Sequence, residues 1–193
     1  MAVPSSVGPP CSSSWPPELV KIALGRLSVR VTIWRISTVG VVARVLVTGM
    51  SGAGKSTVLA ELSRRGHLTV DTDYDGWELP DGTWDEHRMA HLLAEQPDVV
   101  VSGTVENQGH FYDQFEHVVL LCAPLDLLLE RVGRRTNNPY GKTADQRADI
   151  ASYVERVEPL LRRGSTLELD GRRPVRELAD VIEDLVRGST SRH

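Results

Sequence analysis

The stretch from Val47 to Thr57, VTGMSGAGKST, combines three glycines with a lysine that is followed by two hydroxyl residues. Its residues 49–56 match the pattern G-x-x-x-x-G-K-[ST] of a Walker A phosphate-binding loop. The apolar residues before it predict a buried strand, and the spacing of apolar residues from Lys55 to Arg65 predicts a helix directly after it. Because such a loop works between a strand and a helix N-terminus, this context favours nucleotide binding over a glycine-rich turn with a solvated lysine.

Each position in this loop has a chemical reason. Glycines let the backbone wrap closely around an anion, so that successive N–H groups point at it. We expect Lys55 to reach the β- and γ-phosphates of ATP and to be catalytic, and Ser56 to offer its hydroxyl to Mg²⁺. The residues expected to hold the nucleotide are Gly49, Ser51, Gly52, Ala53, Gly54, Lys55, Ser56 and Thr57.

The bulk composition limits the function classes. The chain has 193 residues, a formal net charge of −4 and two cysteines. The slight negative charge gives no reason to expect nucleic acid or a membrane as partner, and no apolar run is long enough for a membrane span. Cys11 and Cys122 lie in unrelated segments, so a reducing cytoplasm is the expected location. Whether the protein is a monomer or a dimer stays open.

The chain divides into two regions of different composition. Residues 1–43 begin with a Pro- and Ser-rich stretch, and we interpret them as a disordered or irregular extension. One hypothesis is that the native chain begins near Val42, just before the first clear strand. Residues 44–190 make up the predicted globular domain.

Within this domain, short apolar segments alternate with helical ones. The segments predicted as strands are RVLVT, HLTVD, DVVVSG, HVVLLCA and STLELD. A helix opened by Thr83 follows the second strand, and one long helix is predicted over residues 144–163. Apolar strands that alternate with helices indicate a parallel sheet covered on both faces. The predicted fold class is therefore α/β, a three-layer α/β/α P-loop NTPase fold with a five-stranded parallel sheet.

Two carboxylates, Asp71 and Asp73, follow the second predicted strand. Because ligands of an open parallel sheet bind at the carboxyl ends of its strands, both side chains are expected near the phosphate loop. One can hold the metal, and the other can accept a proton from an attacking hydroxyl. The alternative is that they only end the strand and cap a turn, which is our interpretation of Asp75.

Residues 47–73, VTGMSGAGKSTVLAELSRRGHLTVDTD, resemble the opening of the nucleoside-monophosphate-kinase-like P-loop kinases, and most of all shikimate kinase. That group shares the Walker loop, the D-x-D after the second strand, a basic lid helix and a Pro-containing loop against which adenine packs. The resemblance extends in layout over about residues 44–187. It implies an ATP-dependent phosphotransferase.

The resemblance also implies roles for single residues. Asp71 helps to hold Mg²⁺, and Asp73 is catalytic and meets the acceptor hydroxyl. An arginine of the basic cluster, Arg131, Arg134 or Arg135, lies in a lid over ATP. Of these we expect Arg131 to be catalytic and Arg135 to contact the nucleotide. The residues implied to line the adenine are those from Arg172 to Pro174. From spacing alone, the basic cluster is either such a lid or a solvated helix end favoured by the helix dipole. Lys142, in the polar loop that follows, is expected to reach the phosphates when the lid closes.

Two departures separate this chain from shikimate kinase. Ser102-Gly103-Thr104 replace the glycine triplet that helps to grip shikimate, and no arginine stands between the second strand and its helix. The segments GTVENQGHFYDQF and RTNNPYGK are instead similar to those of small bacterial P-loop proteins described only as ATP-binding. We therefore do not expect shikimate as the substrate.

The charge pattern limits the acceptor. Between Gly66 and Glu130 the chain carries fourteen Asp and Glu residues but a single Lys or Arg, Arg88. A phosphorylated acceptor carries about two negative charges and needs arginine forks to bind it. We therefore expect a neutral, cationic or at most singly anionic acceptor. The expected contacts are Asp73, Arg88, Thr104, Glu106 and Asn107. Two tryptophans flank the acidic loop of this stretch, Trp77 and Trp84. They either stack on a ring of the acceptor or pack in the core.

Together these patterns predict an ATP-binding kinase that uses Mg²⁺ and transfers the γ-phosphate to a hydroxyl of a small, non-phosphorylated metabolite. Three alternatives stay open: a nucleotide-dependent ATPase or switch acting with a protein partner, a nucleoside monophosphate kinase, and a nucleotide-binding module without catalysis. The third predicted strand, VVVSG, ends without the aspartate of a Walker B motif, which disfavours the ATPase.

Overall fold

The computed structural model describes residues 43–136 and 138–188. Apart from Ala43, the predicted N-terminal extension lies outside these residues, as does the hypothesis of a start near Val42. The strands are β1 Arg44–Thr48, β2 Thr69–Asp71, β3 Val99–Ser102, β4 His117–Cys122 and β5 Leu167–Asp170. The helices are α1 Lys55–Arg64, α2 Glu86–Glu95, α3 Leu125–Arg134, α4 Ala144–Arg156, α5 Glu158–Gly164 and α6 Val175–Val186, with a 3-10 helix at Glu106–Gln114. In the part of the chain so described, no helix has the length and apolar character needed to cross a bilayer.

The five strands form one parallel sheet in the order β2-β3-β1-β4-β5. The central strand β1 aligns Leu46 with Val101 of β3 on one side and with Val118 of β4 on the other. The chain therefore leaves β1 at the point where the strand order changes direction. In open parallel sheets this switch point forms the ligand crevice, at the carboxyl ends of the strands.

Side chains of β1 alternate between two apolar cores. Val45 and Val47 pack with residues of α1 and α6, whereas Leu46 packs with Trp84 and Met89 on the opposite face of the sheet. Strands buried on both faces have to be almost wholly apolar, which explains the RVLVT and DVVVSG segments. The predicted three-layer α/β/α fold with five parallel strands is confirmed.

The single helix predicted over residues 144–163 is wrong, because the structure divides it into α4 and α5. Pro159 has no N–H group, and its ring would clash with the carbonyl oxygen four residues earlier in a continuous helix. The chain restarts at Val157, whose carbonyl oxygen accepts hydrogen bonds from the N–H groups of Leu160 at 2.8 Å and Leu161 at 3.1 Å. The chain therefore forms two helices where the sequence pattern indicated one.

The helix after β2 also begins later than predicted. Asp85, not Thr83, forms its N-cap, because the Asp85 carboxylate accepts a hydrogen bond from the backbone N–H of Arg88 at 3.0 Å. Thr83 donates instead to the carboxylate of Asp81 at 2.6 Å. The residues between β2 and α2 thus form a longer loop beside the crevice.

Candidate active site

The loop between β1 and α1 folds into a tight cradle at the carboxyl edge of the sheet. Gly49, Gly52 and Gly54 have positive φ angles of 143°, 90° and 109°. A Cβ atom on Gly49 would lie 2.2 Å from the carbonyl oxygen of Leu121, and one on Gly52 would lie 2.6 Å from that of Leu128. Glycine is therefore needed for both the backbone conformation and the close packing on β4 and α3. The free N–H groups at the start of α1 lie at this cradle.

The Lys55 side chain is enclosed by the cradle. It is only 7 % exposed, and its Nζ donates a 2.7 Å hydrogen bond to the carbonyl oxygen of Gly49. Burial lowers the pKa of Lys55, while the carboxylates of Asp73 and Asp71 oppose this shift. An ammonium group has three donors, so two remain for another acceptor. A polyphosphate at the cradle would satisfy them and stabilise the buried charge.

Ser56 and Asp71 are neighbours at the carboxyl end of β2. Burial raises the pKa of Asp71, and hydrogen bonding by the Ser56 hydroxyl opposes this shift. In the residues that the structure describes, no three His, Cys, Asp or Glu side chains converge into a metal site of their own. A hydroxyl and one carboxylate fit Mg²⁺, which protein sites commonly hold through one or two carboxylates plus substrate phosphates.

A cavity of about 570 Å³ lies over the loop, and we call it the nucleotide cavity. It is lined by residues 50–58, by the end of α3 and by the segment after β5, so it includes every loop residue predicted to hold nucleotide except Gly49. Arg131 of α3 donates to the carbonyl oxygen of Gly171 at 2.9 Å and, at 3.4 Å, to those of Gly52 and Ala53. Its guanidinium is therefore attached to the phosphate loop itself.

The other basic residues near α3 differ in their contacts. Arg135 lines the nucleotide cavity and donates to the Tyr140 carbonyl oxygen at 3.1 Å, but its buried Nε has no hydrogen-bond partner among the described residues. Arg134 is exposed at the cavity mouth and pairs with Glu130 at 3.0 Å. Lys142, by contrast, donates to three carbonyl oxygens at the end of α3, so in this structure it caps that helix and does not face the cradle.

The prediction that Arg172 and Pro174 line the adenine is not supported, since neither lines the nucleotide cavity. The guanidinium of Arg172 is held by Asp170, with Nη2 2.6 Å from Oδ2, and Pro174 is exposed directly before α6. The residues of this segment that do line the cavity are Gly171, Arg173 and Val175. The segment forms a turn in which the N–H of Arg173 donates to the carbonyl oxygen of Asp170 at 3.0 Å, so the loop implied by the resemblance does border the cavity, but through other residues than Arg172 and Pro174.

This difference between the two arginines is testable. We expect Arg131→Ala to weaken ATP binding about tenfold or more, because it removes a charged donor at the phosphate loop. Arg172→Ala should change the dissociation constant of ATP less than about twofold, since its guanidinium only forms an exposed ion pair with Asp170. Titration calorimetry with ATP and Mg²⁺ measures both. Equal losses in the two variants would contradict this assignment.

A second cavity of about 420 Å³ adjoins the first, and we call it the acceptor cavity. The residues that line both cavities are Met50, Ser51, Lys55 and Asp73. From there the acceptor cavity extends between Glu78 and residues 104–106 on one side and residues of α4 and α5 on the other. A molecule in either cavity therefore lies beside the same ammonium and the same carboxylate.

Three of the predicted acceptor contacts line this cavity, namely Asp73, Thr104 and Glu106. Sequence reasoning missed Glu78, Tyr140 and Tyr153, which also line it. These residues belong to three separate segments of the chain. No local pattern associates them, because only the packing of α4 and its preceding loop beside the crevice brings the tyrosines to the same cavity as Glu78.

The other two predicted contacts, Arg88 and Asn107, do not line the acceptor cavity in this structure, and both hold the loop before α2. Arg88 donates to two loop carbonyl oxygens, and its guanidinium carbon lies 3.8 Å from the centre of the Trp77 ring. Asn107 makes two hydrogen bonds with the backbone of Trp84, at 2.9 and 3.1 Å. Trp77 and Trp84 are 8 % and 0 % exposed, so they pack in the core and neither lines the acceptor cavity.

Several solved structures of similar fold are described as kinases or as nucleotide complexes. A shikimate kinase from Acinetobacter baumannii is 22 % identical, with a TM-score of 0.61 over 79 % of this chain and 97 % of that chain. The YorR protein from Bacillus subtilis, in complex with phosphorylated GDP, is 20 % identical, with a TM-score of 0.55 over 78 % and 99 %. A gluconokinase from Sinorhizobium meliloti is 17 % identical, with a TM-score of 0.51 over 77 % and 95 %. At these identities the likeness establishes the fold alone, and it agrees with the resemblance to small-molecule P-loop kinases.

In sequence, none of the curated proteins matches the chain. A protein-family model described as an AAA domain matches residues 45–152. This range includes the glycine loop with Lys55, both aspartates after β2 and the arginines of α3. Because the match covers more than half of the chain, this protein belongs to the AAA domain family.

Proposed function

We propose that this protein is a kinase that transfers the γ-phosphoryl group of ATP to a hydroxyl group of a small, non-phosphorylated metabolite. The observation that carries this proposal is the meeting of two cavities at Lys55 and Asp73. Phosphoryl transfer depends mainly on placing donor and acceptor in line and on stabilising the charge between them. Two adjoining cavities that share one ammonium and one carboxylate are suited to that task.

On the donor side, the backbone N–H groups of residues 49–56 hold the β- and γ-phosphates of ATP in this proposal. Lys55 contributes the buried ammonium, and Arg131 and Arg135 contribute guanidinium groups at the wall of the nucleotide cavity. Mg²⁺, held through Ser56 and Asp71, supplies the positive charge that neutralises the phosphate oxygens. Use of Mg²⁺, preference for ATP and a cytoplasmic location all belong to the proposal.

On the acceptor side, Asp73 orients the hydroxyl and accepts its proton. The hydroxyl oxygen forms a bond to the γ-phosphorus while the bond from that phosphorus to the bridging oxygen of the β-phosphate breaks, and ADP leaves. Asp73 is exposed to both cavities, as this role requires. Lys55 and Arg131 stabilise the charge that spreads over the γ-phosphate oxygens.

The alternatives fit the cavities less well. An ATPase or switch needs no enclosed space beyond the γ-phosphate, whereas the acceptor cavity here occupies about 420 Å³. A nucleoside monophosphate kinase needs arginine forks for the phosphate of its acceptor. Among the described residues that line the acceptor cavity, Lys55 is the one Lys or Arg.

A panel assay tests the proposed function. The full chain is incubated with ATP, Mg²⁺ and one compound at a time, and both ADP and the phosphorylated product are measured by mass spectrometry. We expect ADP to form in equal amount with a phosphoester of a non-phosphorylated alcohol. ADP formation that does not depend on any added alcohol would indicate an ATPase. Phosphorylation of nucleoside monophosphates alone would indicate the other alternative.

A further inference from the structure

The lining of the acceptor cavity has an uneven charge. Its carboxylates are Asp73, Glu78 and Glu106. Neither glutamate forms a hydrogen bond or an ion pair through its side chain with any described residue. Elsewhere in the fold, Glu61 and Glu116 are paired with arginines at 2.7 Å. Among the described residues, the acceptor cavity thus contains two glutamates that form no ion pair of their own.

Carboxylates outnumber cations in the acceptor cavity, since Asp73, Glu78 and Glu106 share it with the ammonium of Lys55. Burial raises the pKa of Glu78, and the carboxylates of Asp73 and Asp71 raise it further, against the opposing effect of Lys55. Lys55 already donates one hydrogen bond to the Gly49 carbonyl oxygen. In the proposed function its two remaining N–H groups bind the phosphates of ATP and do not neutralise the glutamates. An anion in this cavity would be repelled by the carboxylates, whereas a cation would relieve the repulsion among them.

The rest of the lining is aromatic and apolar. Tyr140 contributes its ring from the loop before α4 and Tyr153 from near the end of that helix, and the apolar side chains on the same side of the cavity are Ile150, Val157 and Leu161. A tyrosine ring attracts a cation over its face, and the attraction grows when the site excludes water. Carboxylates on one side and tyrosines with apolar side chains on the other are complementary to an amine attached to a carbon skeleton.

We propose that the acceptor is an amino alcohol, a small molecule with a positively charged amine in addition to the hydroxyl that is phosphorylated. The amine lies between Glu78 and Glu106, the hydroxyl lies at Asp73, and the carbon skeleton packs on the α4 and α5 wall. This inference rests on the proposed kinase function and specifies its substrate class. It narrows the sequence-based expectation, which also allowed neutral and singly anionic acceptors.

A matched panel tests this inference. Each amino alcohol is compared with the alcohol in which a methyl group replaces the ammonium and with the one in which a carboxylate replaces it. At low ionic strength, where surface charges are screened least, we expect kcat/KM for the amine to exceed that for the methyl compound at least about tenfold. Glu78→Gln and Glu106→Gln should each reduce this ratio several-fold, because each removes one negative charge and keeps the side-chain shape.

Glu95→Gln is the matched control. Glu95 is an exposed carboxylate at the end of α2, directly before β3 begins, and thus at the opposite edge of the sheet from the cavity. The Glu95→Gln variant should leave the ratio of kcat/KM between the amine and the methyl compound unchanged. Equal or better turnover of the methyl or carboxylate compounds, or a ratio unaffected by both cavity variants, would overturn the amine inference while leaving the kinase proposal intact. ATP binding by calorimetry without turnover of any compound contradicts the kinase proposal itself.

Discussion

Lys55→Met is expected to lower kcat/KM for phosphoryl transfer about 10³-fold, because it removes a preorganised charge from a water-excluded site. The methionine keeps the carbon stem and the packing of the buried side chain. Since burial lowers the pKa of Lys55, the charged form is disfavoured in the folded state, and its removal should not decrease the free energy of unfolding. Steady-state kinetics and urea denaturation of the same preparation measure the two effects separately.

Lys142→Met provides a matched control, since it makes the same chemical change at the other described lysine. Its ammonium holds three carbonyl oxygens at the end of α3, so we expect a loss of about 1 kcal/mol in the free energy of unfolding. We expect its kcat/KM to fall less than about tenfold. If instead Lys55→Met lost activity only in proportion to lost stability, the catalytic role of Lys55 would be refuted.

Asp73→Asn is the second substitution with a large expected effect. An amide cannot accept the hydroxyl proton, so kcat should fall about 10²- to 10⁴-fold. The fold should be retained, because the side chain is exposed and lies in the loop after β2. The dissociation constant of ATP should change little, because the phosphates are held by the loop and Lys55. Single-turnover kinetics under saturating ATP separate the two quantities.

Asp75→Asn makes the same change two residues further along. Asp75 has a φ angle of 61°, the left-handed conformation that asparagine tolerates well, so the control should keep both fold and activity. The same angle agrees with the interpretation of Asp75 as a turn residue. If Asp73→Asn retained activity within a factor of about ten while Asp71→Asn abolished it, the proton acceptor would be Asp71 and the proposed division of roles would be reversed.

The candidate site concentrates groups whose charged forms the fold disfavours. Burial lowers the pKa of Lys55 and raises the pKa values of Asp71 and Glu78, so each shift is toward the neutral form. Such arrangements reduce the stability of the folded protein, and they cluster where ligands later compensate them. The electrostatics therefore point to the same edge of the sheet as the loop pattern does.

Features that depend on neighbouring residues in the chain were predictable. The glycine loop, the strand before it and the helix after it follow from residue type and spacing, because their φ angles and hydrogen bonds are set within a few residues. The position of Asp71 and Asp73 beside the phosphate loop was predicted from one further rule, which places the carboxyl ends of parallel strands at the ligand crevice. The division between α4 and α5 was missed, although Pro159 was visible in the sequence.

Side-chain direction at long range was not predictable. Arg172 and Arg173 are adjacent in the chain, yet only Arg173 lines the nucleotide cavity, since the guanidinium of Arg172 pairs with Asp170 whereas that of Arg173 pairs with Glu177 of α6. Arg88 was one of five expected acceptor contacts, but in this structure its guanidinium is held by two loop carbonyl oxygens and the Trp77 ring. In each case the direction of the arginine side chain depends on which hydrogen-bond acceptors or rings the folded chain brings near it. The spacing of residues in the sequence contains no information about those long-range contacts.

By itself, the sequence determined the fold class, the phosphate cradle and the two carboxylates beside it. Only the tertiary structure decided that Glu78, Tyr140 and Tyr153 line one cavity, and that this cavity meets the nucleotide cavity at Lys55 and Asp73. The physical reason is range: backbone conformation follows local chemistry, whereas the lining of a cavity depends on how segments far apart in the chain pack against one another.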